Sequence, residues 1–137
     1  NPAGGIITAL NDLGDTSLQE GDPHQAASFF QEALTLALET GDKPGIVSNL
    51  VGLASVFLQL GKTDRWRWAA RLLGQTETVL ETSGTSAGAD DQTQIGSTYT
   101  ELRKKLGDDL FASAREEGHS MTLGQVISYA LEKIPVG

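Results

Sequence analysis

The chain has 137 residues, a formal net charge of -8 and no cysteine. That length supports one hydrophobic core, the charge disfavours general binding to a phosphate backbone, and the lack of thiols rules out disulfides and thiolate metal sites. No apolar run approaches the roughly 20 residues of a membrane span and no secretion signal opens the chain, so the expectation is a soluble, cytoplasmic protein with no membrane contact.

"NPAGG" at residues 1–5 reads as a tag remnant or linker, which makes the chain an excised piece of something larger. Leu10, Leu13, Ser17 and Leu18 then recur at three- and four-residue steps up to Gly21, one face of an amphipathic helix. Asp22-Pro23 supplies an N-cap and a proline at the first helical position, restarting a helix. Its stripe is Ala26, Phe29, Phe30, Ala33, Leu34, Ala37 and Leu38, and Gly41 closes it. Asp42-Lys43-Pro44 opens a third helix in the same way, with Ile46, Val47, Leu50, Leu53, Ala54, Phe57, Leu58 and Leu60 on its stripe and Gly61 at its end. A fourth runs from Thr63-Asp64 to Ser83-Gly84, before a loop at 85–90 within "SGTSAGADD". The fifth fits Asp90 to Leu106 and the sixth Asp108 to about Glu117. The last starts on Thr122 with Gln125 three residues on, a capping-box pattern, and carries Val126, Ile127, Tyr129, Ala130, Leu131 and Ile134. No segment alternates with period two, so the class is all-α.

The helices repeat. Leu10, Leu13 and Gly14 recur as Leu50, Leu53 and Ala54, and "QAASFFQ" recurs as "WAARLLG", which aligns Ala26 with Ala69 and Phe30 with Leu73. The small residues at these positions sit where the tetratricopeptide repeat places them to let two helices approach closely. The period is nearer 40 than the standard 34 residues, which implies longer helices. The predicted architecture is two tetratricopeptide-like hairpins over 6–84 in a right-handed superhelical stack, with residues 91–137 as C-terminal capping helices of the same domain.

Ala69-Ala70-Arg71-Leu72-Leu73-Gly74, then Leu106-Gly107, Phe111, Ala114, Glu117-Gly118 and the final helix from Thr122 to Glu132 resemble the C-terminal end of bacterial regulators that join a STAND-type ATPase to tetratricopeptide-like repeats. Many of these carry a LuxR-type or similar DNA-binding domain elsewhere. The resemblance implies a sensing or docking module for signal transduction or transcription regulation, with the ATPase outside this segment and no catalytic residues or cofactor within it. It also places Thr8, Asn11, Asp15, Ser48, Val51, Ser55 and Leu58 on the concave, partner-facing surface. These positions carry no lysine or arginine, so a clamp for acidic peptide tails is disfavoured, while a helix, a peptide or neighbouring repeats would fit.

Catalytic patterns are missing from the sequence. No glycine-rich phosphate loop with a following lysine occurs, and His24 and His119 are isolated, as capping or surface histidines are. Asp90-Asp91 and Asp108-Asp109 fall at helix starts, where their charge favours the positive end of the helix dipole and where no calcium-loop spacing surrounds them. Neither an enzyme nor a metal site is expected.

"GKTDRWRWAARLLGQ", residues 61–75, gathers both tryptophans and three arginines. At about 100° per residue, Trp66 falls beside Ala69, Leu73, Thr76 and Leu80 and is predicted to be core. Trp68 falls on the half-buried flank with Leu72 and Val79. Arg67 and Arg71 share the opposite side with Thr78 and are predicted to face solvent. Arg67, Arg71 and the edge of Trp68 therefore complete the candidate interaction surface. Two rival functions attach to these residues. A small-molecule inducer site would need a deep cavity lined by Trp68 and the polar residues of the inner helices, and a nucleic-acid site would use Arg67 and Arg71, which the acidic charge disfavours and for which the two tryptophans offer no single stacking platform.

Overall fold

A computed structural model describes residues 2–134, and these form seven helices: α1 Pro2–Gln19, α2 Pro23–Thr40, α3 Lys43–Leu60, α4 Thr63–Ser83, α5 Ala89–Leu106, α6 Asp108–Ser120 and α7 Leu123–Glu132. The class is all-α, with no strand among the described residues. Local chemistry sets the breaks. The Asp22 carboxylate accepts from the Gln25 N–H at 3.1 Å and Asp42 from the Gly45 N–H at 3.0 Å, each just ahead of a proline in the first turn. Gly41 closes α2 in the left-handed region, φ 69°, where a side chain would be strained. At α7 both hydrogen bonds of the Thr122/Gln125 capping box form.

Three boundaries differ from expectation. Residues 2–5 belong to α1 rather than to a linker, the loop spans 84–88, and α6 runs on to Ser120.

Helices α1 to α4 pack in sequence as two hairpins, with α3 between α2 and α4 and also against α1. Two thirds of α3 is buried, which accounts for a composition apolar enough to cross a membrane. Phe30 locks the first hairpin to the second. Its ring is fully buried, and a Cβ added at either Gly14 of α1 or Gly52 of α3 would come within 2.5 Å of it. Gly14→Ala or Gly52→Ala is therefore expected to cost about 1 to 3 kcal/mol through overpacking, read as a shift in the urea midpoint. The same substitution at Gly96, mid-helix in α5, where an added Cβ meets nothing within 4 Å, should instead raise the midpoint slightly, by the roughly 0.5 to 1 kcal/mol that alanine gains over glycine inside a helix.

Leu13 and Leu38, expected on buried stripes, are exposed. The repeat explains Leu13: its counterpart Leu53 is completely buried, whereas Leu13 is 47% exposed. The second hairpin has the first stacked against it, and the outer face of α1 has no such neighbour among the described residues.

The last three helices all lean on α4. Helix α6 packs along it most extensively, α7 joins it there, and α5 touches α3, α4 and α6. Helix α4 is thus buried nearly all round from Trp68 to Thr76. Gly74 and Gly118 make this possible. A Cβ at Gly74 would overlap the Arg115 carbonyl oxygen, and one at Gly118 the Arg71 carbonyl, so the two backbones touch. Ala70 and Ala114, one turn earlier on each helix, are buried as well.

Candidate functional site

The inner helices α1 and α3 form one wall and the floor of a groove of about 580 Å³, and the N-terminal turn of α5 forms its other wall. Asn11, Asp15, Ser48, Val51, Ser55 and Leu58, all expected on the concave surface, line it together with Leu18, Gly52 and Gln59. Thr8 lies just beyond. It is exposed, donates to the Gly4 carbonyl at 3.0 Å, and borders a smaller recess shared with Asn11 and Ser48.

Helix geometry accounts for this convergence. Asn11, Asp15 and Leu18 are spaced by four and three residues, as are Ser48, Val51, Ser55 and Leu58, so each set lies along one helix face. Cross-links hold the two faces in register: Asn11 donates to the Asn49 side chain at 3.0 Å, and Asn49 is tied to the Gly45 carbonyl at 2.7 Å.

Sequence reasoning missed the wall that α5 forms. Asp90, Asp91 and Gln94 of α5 line the groove, with the Ser48 hydroxyl donating to Asp91 at 2.6 Å and the Gln94 amide donating to Ser55 at 2.9 Å. Asp90 and Asp91 do occupy the first turn of α5, as Asp108 and Asp109 occupy that of α6, so their favourable place on the helix dipole stands. Their second role, across some forty residues of chain, leaves no local trace. The Asp15 carboxyl has its pKa raised, by partial desolvation first and then by the charges of Asp12, Asp91 and Asp90.

The basic-aromatic stretch lies elsewhere, and the expectations about Trp68, Trp66, Arg71 and Arg67 are corrected. Trp68 is the buried tryptophan, 7% exposed, with Tyr129 of α7 against it at 6.4 Å between ring centroids. Trp66 is only half-buried, donates its indole N–H to the Leu58 carbonyl at 3.4 Å, and has the Lys105 ammonium over its ring at 4.9 Å. Arg71 does not face solvent: its side chain is 16% exposed, its guanidinium lies 4.7 Å from the Trp68 ring centroid and it pairs with Glu117 at 3.6 Å. Arg67 is half-buried, and Thr78 donates to the His119 carbonyl at 2.7 Å. The common cause is α6 and α7, which cover the side of α4 that a two-hairpin reading leaves to water. Trp68 therefore does not line the groove.

The α4–α6 contact is rich in polar pairs. Buried Gln75 donates to the Gly118 and Met121 carbonyls. Glu77 and Arg115 form a two-pronged pair, one prong at 2.6 Å, and His119 meets Glu81 at 3.1 Å. Tyr99 packs edge-on to Phe111 at 5.3 Å and beneath the Arg115 guanidinium. Burial, then the Glu77 carboxylate, push the Tyr99 pKa up.

Burial raises the Glu77 pKa, but the hydrogen bonds from Arg115 and the charges of Arg115 and His119 outweigh it, so the net shift is below the ordinary 4.5. A depressed folded-state pKa contributes stability above the unfolded value and loses it as pH falls through the folded one. The stability gap between the parent and Glu77→Gln should accordingly be widest near neutral pH and narrow as the pH falls through and below the ordinary glutamate value in urea titrations. A gap that stays constant over that window would refute the assignment.

Among the described residues no cluster of three or more histidine or acidic side chains is arranged to hold a metal ion. Residues 5–65, which cover α1 to α3 and the start of α4, match the family model described as tetratricopeptide repeat. No curated protein matches the chain, and no solved structure does. Together with the two stacked hairpins, the match makes the fold tetratricopeptide-like. Repeats of that kind are in general non-catalytic and bind proteins or peptides.

Proposed function

We propose that the chain is a non-catalytic docking module that receives a protein segment in the groove between α1, α3 and the start of α5. The observation that carries this reading is the convergence of six residues of the inner helices on one groove with an apolar floor and polar walls. Hydrogen bonds within and across the helices hold those walls in place before any partner arrives, which lowers the ordering cost of binding.

The wider setting rests on the resemblance of the α4–α7 sequence to bacterial STAND-type regulators. In that reading the module is cytoplasmic, works in signal transduction or transcription regulation, and docks a partner or another domain of its own polypeptide. An ATPase domain encoded in the same reading frame is the expected finding, and its absence there would remove the regulatory setting.

A small-molecule inducer is the weaker use of the groove, because Trp68, the aromatic group such a site would enlist, is packed under α7 instead. Nucleic acid is weaker still, since Arg71 is engaged by Trp68 and Glu117.

Photo-cross-linking in the parent organism's cells separates these uses. A photoreactive side chain replacing Leu58 in the groove should give protein adducts, while one replacing Thr35, on the exposed side of α2, should not. Adducts at Thr35 alone would place the docking face elsewhere.

A further inference from the structure

We propose that the occupant of the groove is a cationic peptide segment, in which lysine or arginine alternates with aliphatic side chains. The inference rests on the docking reading above and assigns the chemistry of the partner.

The groove joins two kinds of surface. Leu18 and Leu58 provide aliphatic contact, while Asp15 on one side and Asp90 and Asp91 on the other supply carboxylates. No lysine, arginine or histidine lines it among the described residues, and none of these three aspartates takes part in an ion pair there.

The imbalance is built into the sequence. Asp12, Asp15, Glu20, Asp22, Glu32, Glu39 and Asp42 all precede the first lysine or arginine, Lys43, and α3 carries no charge after it. The remaining cations lie from Lys62 onward, where Arg71, Lys104 and Arg115 have carboxylate partners and Arg103 and Lys105 lie over aromatic rings.

The α5 dipole offsets part of the charge on Asp90 and Asp91, but Asp15 has no such neighbour. Partial burial first, and then the carboxylates of Asp12, Asp91 and Asp90, raise its pKa.

A long cationic side chain suits such a surface, since its methylene stem covers apolar ground while its head reaches the rim. Acidic peptides and phosphate backbones carry the wrong sign. A free polyamine has the right charge but no aliphatic side chains for the floor.

The test titrates the full chain, by fluorescence anisotropy, into a labelled hexapeptide of alternating leucine and lysine. Leucine/serine and leucine/glutamate counterparts run beside it, with spermidine as competitor. The lysine peptide should bind at least about tenfold more tightly than the serine peptide, lose affinity with added salt, and weaken about tenfold in Asp15→Asn/Asp91→Asn. Asp15→Asn alone, which leaves the Ser48–Asp91 hydrogen bond in place, should weaken it in the same direction and covers the case of a misfolded double variant. Glu32→Gln/Glu39→Gln, on the outer side of α2, should change nothing.

Serine or glutamate peptides binding as well as lysine would overturn the cationic assignment and leave the docking reading standing. Binding by none of the peptides would count against both. Lysine binding that survives the aspartate changes, or that weakens with the α2 changes, would mark general adherence to an acidic chain and sink the proposal. Displacement by spermidine at matching affinity would replace the peptide with a polyamine.

Discussion

Gly118→Ala is expected to destabilise the fold by at least about 3 kcal/mol, the upper part of the overpacking range, and Gly74→Ala by a similar amount. At each position the added methyl meets a backbone carbonyl of the opposite helix, Arg71 for Gly118 and Arg115 for Gly74. A side chain could rotate aside, but a carbonyl in the middle of a helix cannot move without its helix. The helices would therefore have to separate. Separation would also break the Gln75 and Thr78 hydrogen bonds to α6, leaving buried Gln75 short of acceptors. Urea unfolding should show the loss as a lower midpoint. If α6 and α7 detach before α1 to α3 unfold, a second, earlier transition with reduced slope should appear. A melt matching the parent in both variants would mean that α4 and α6 do not cross at these glycines.

Trp68→Ala should cost about 3 to 5 kcal/mol, in the range for removing a large buried aromatic side chain. Trp66→Ala should cost clearly less. Trp68 lies between α4 and α7, with Tyr129 against it and the Arg71 guanidinium over its ring, so truncation opens a cavity and strips Arg71 of a partner at once. Trp66 has one indole hydrogen bond and a lysine over its ring, and is only half-buried. Urea midpoints of the two variants decide the matter. Equal losses, or a greater loss at Trp66, would restore the opposite rotation of α4.

Those two experiments probe the region where sequence reasoning and structure diverge most. Proline after an aspartate cap, glycine at a helix end and apolar spacing are local signals, and they located all seven helices within a few residues. The repeat offset that aligns Leu10 with Leu50 and Ala26 with Ala69 pointed to the hairpins, and through them to Asn11, Asp15, Ser48, Val51, Ser55 and Leu58. Each is set by its own turn of helix, so the groove wall was legible wherever it depended on α1 and α3 alone.

What could not be read was which faces later helices would cover. The rotation of α4 was deduced from its hairpin with α3, which treats the far side as solvent, whereas α6 and α7 bury it and exchange the roles of Trp66 and Trp68. One signal was present: Ala70 with Gly74 and Ala114 with Gly118, small residues four apart on two helices, is the spacing that lets backbones touch.

Helix positions and the groove-facing residues of α1 and α3 were determined by the sequence itself, because caps and periodicity act over a few residues. The acidic α5 wall of the groove and the burial of Trp68 were decided only by the tertiary structure. Both depend on where α5 to α7 settle on α3 and α4, and shape complementarity at helix crossings between residues some forty positions apart has no counterpart in a local pattern.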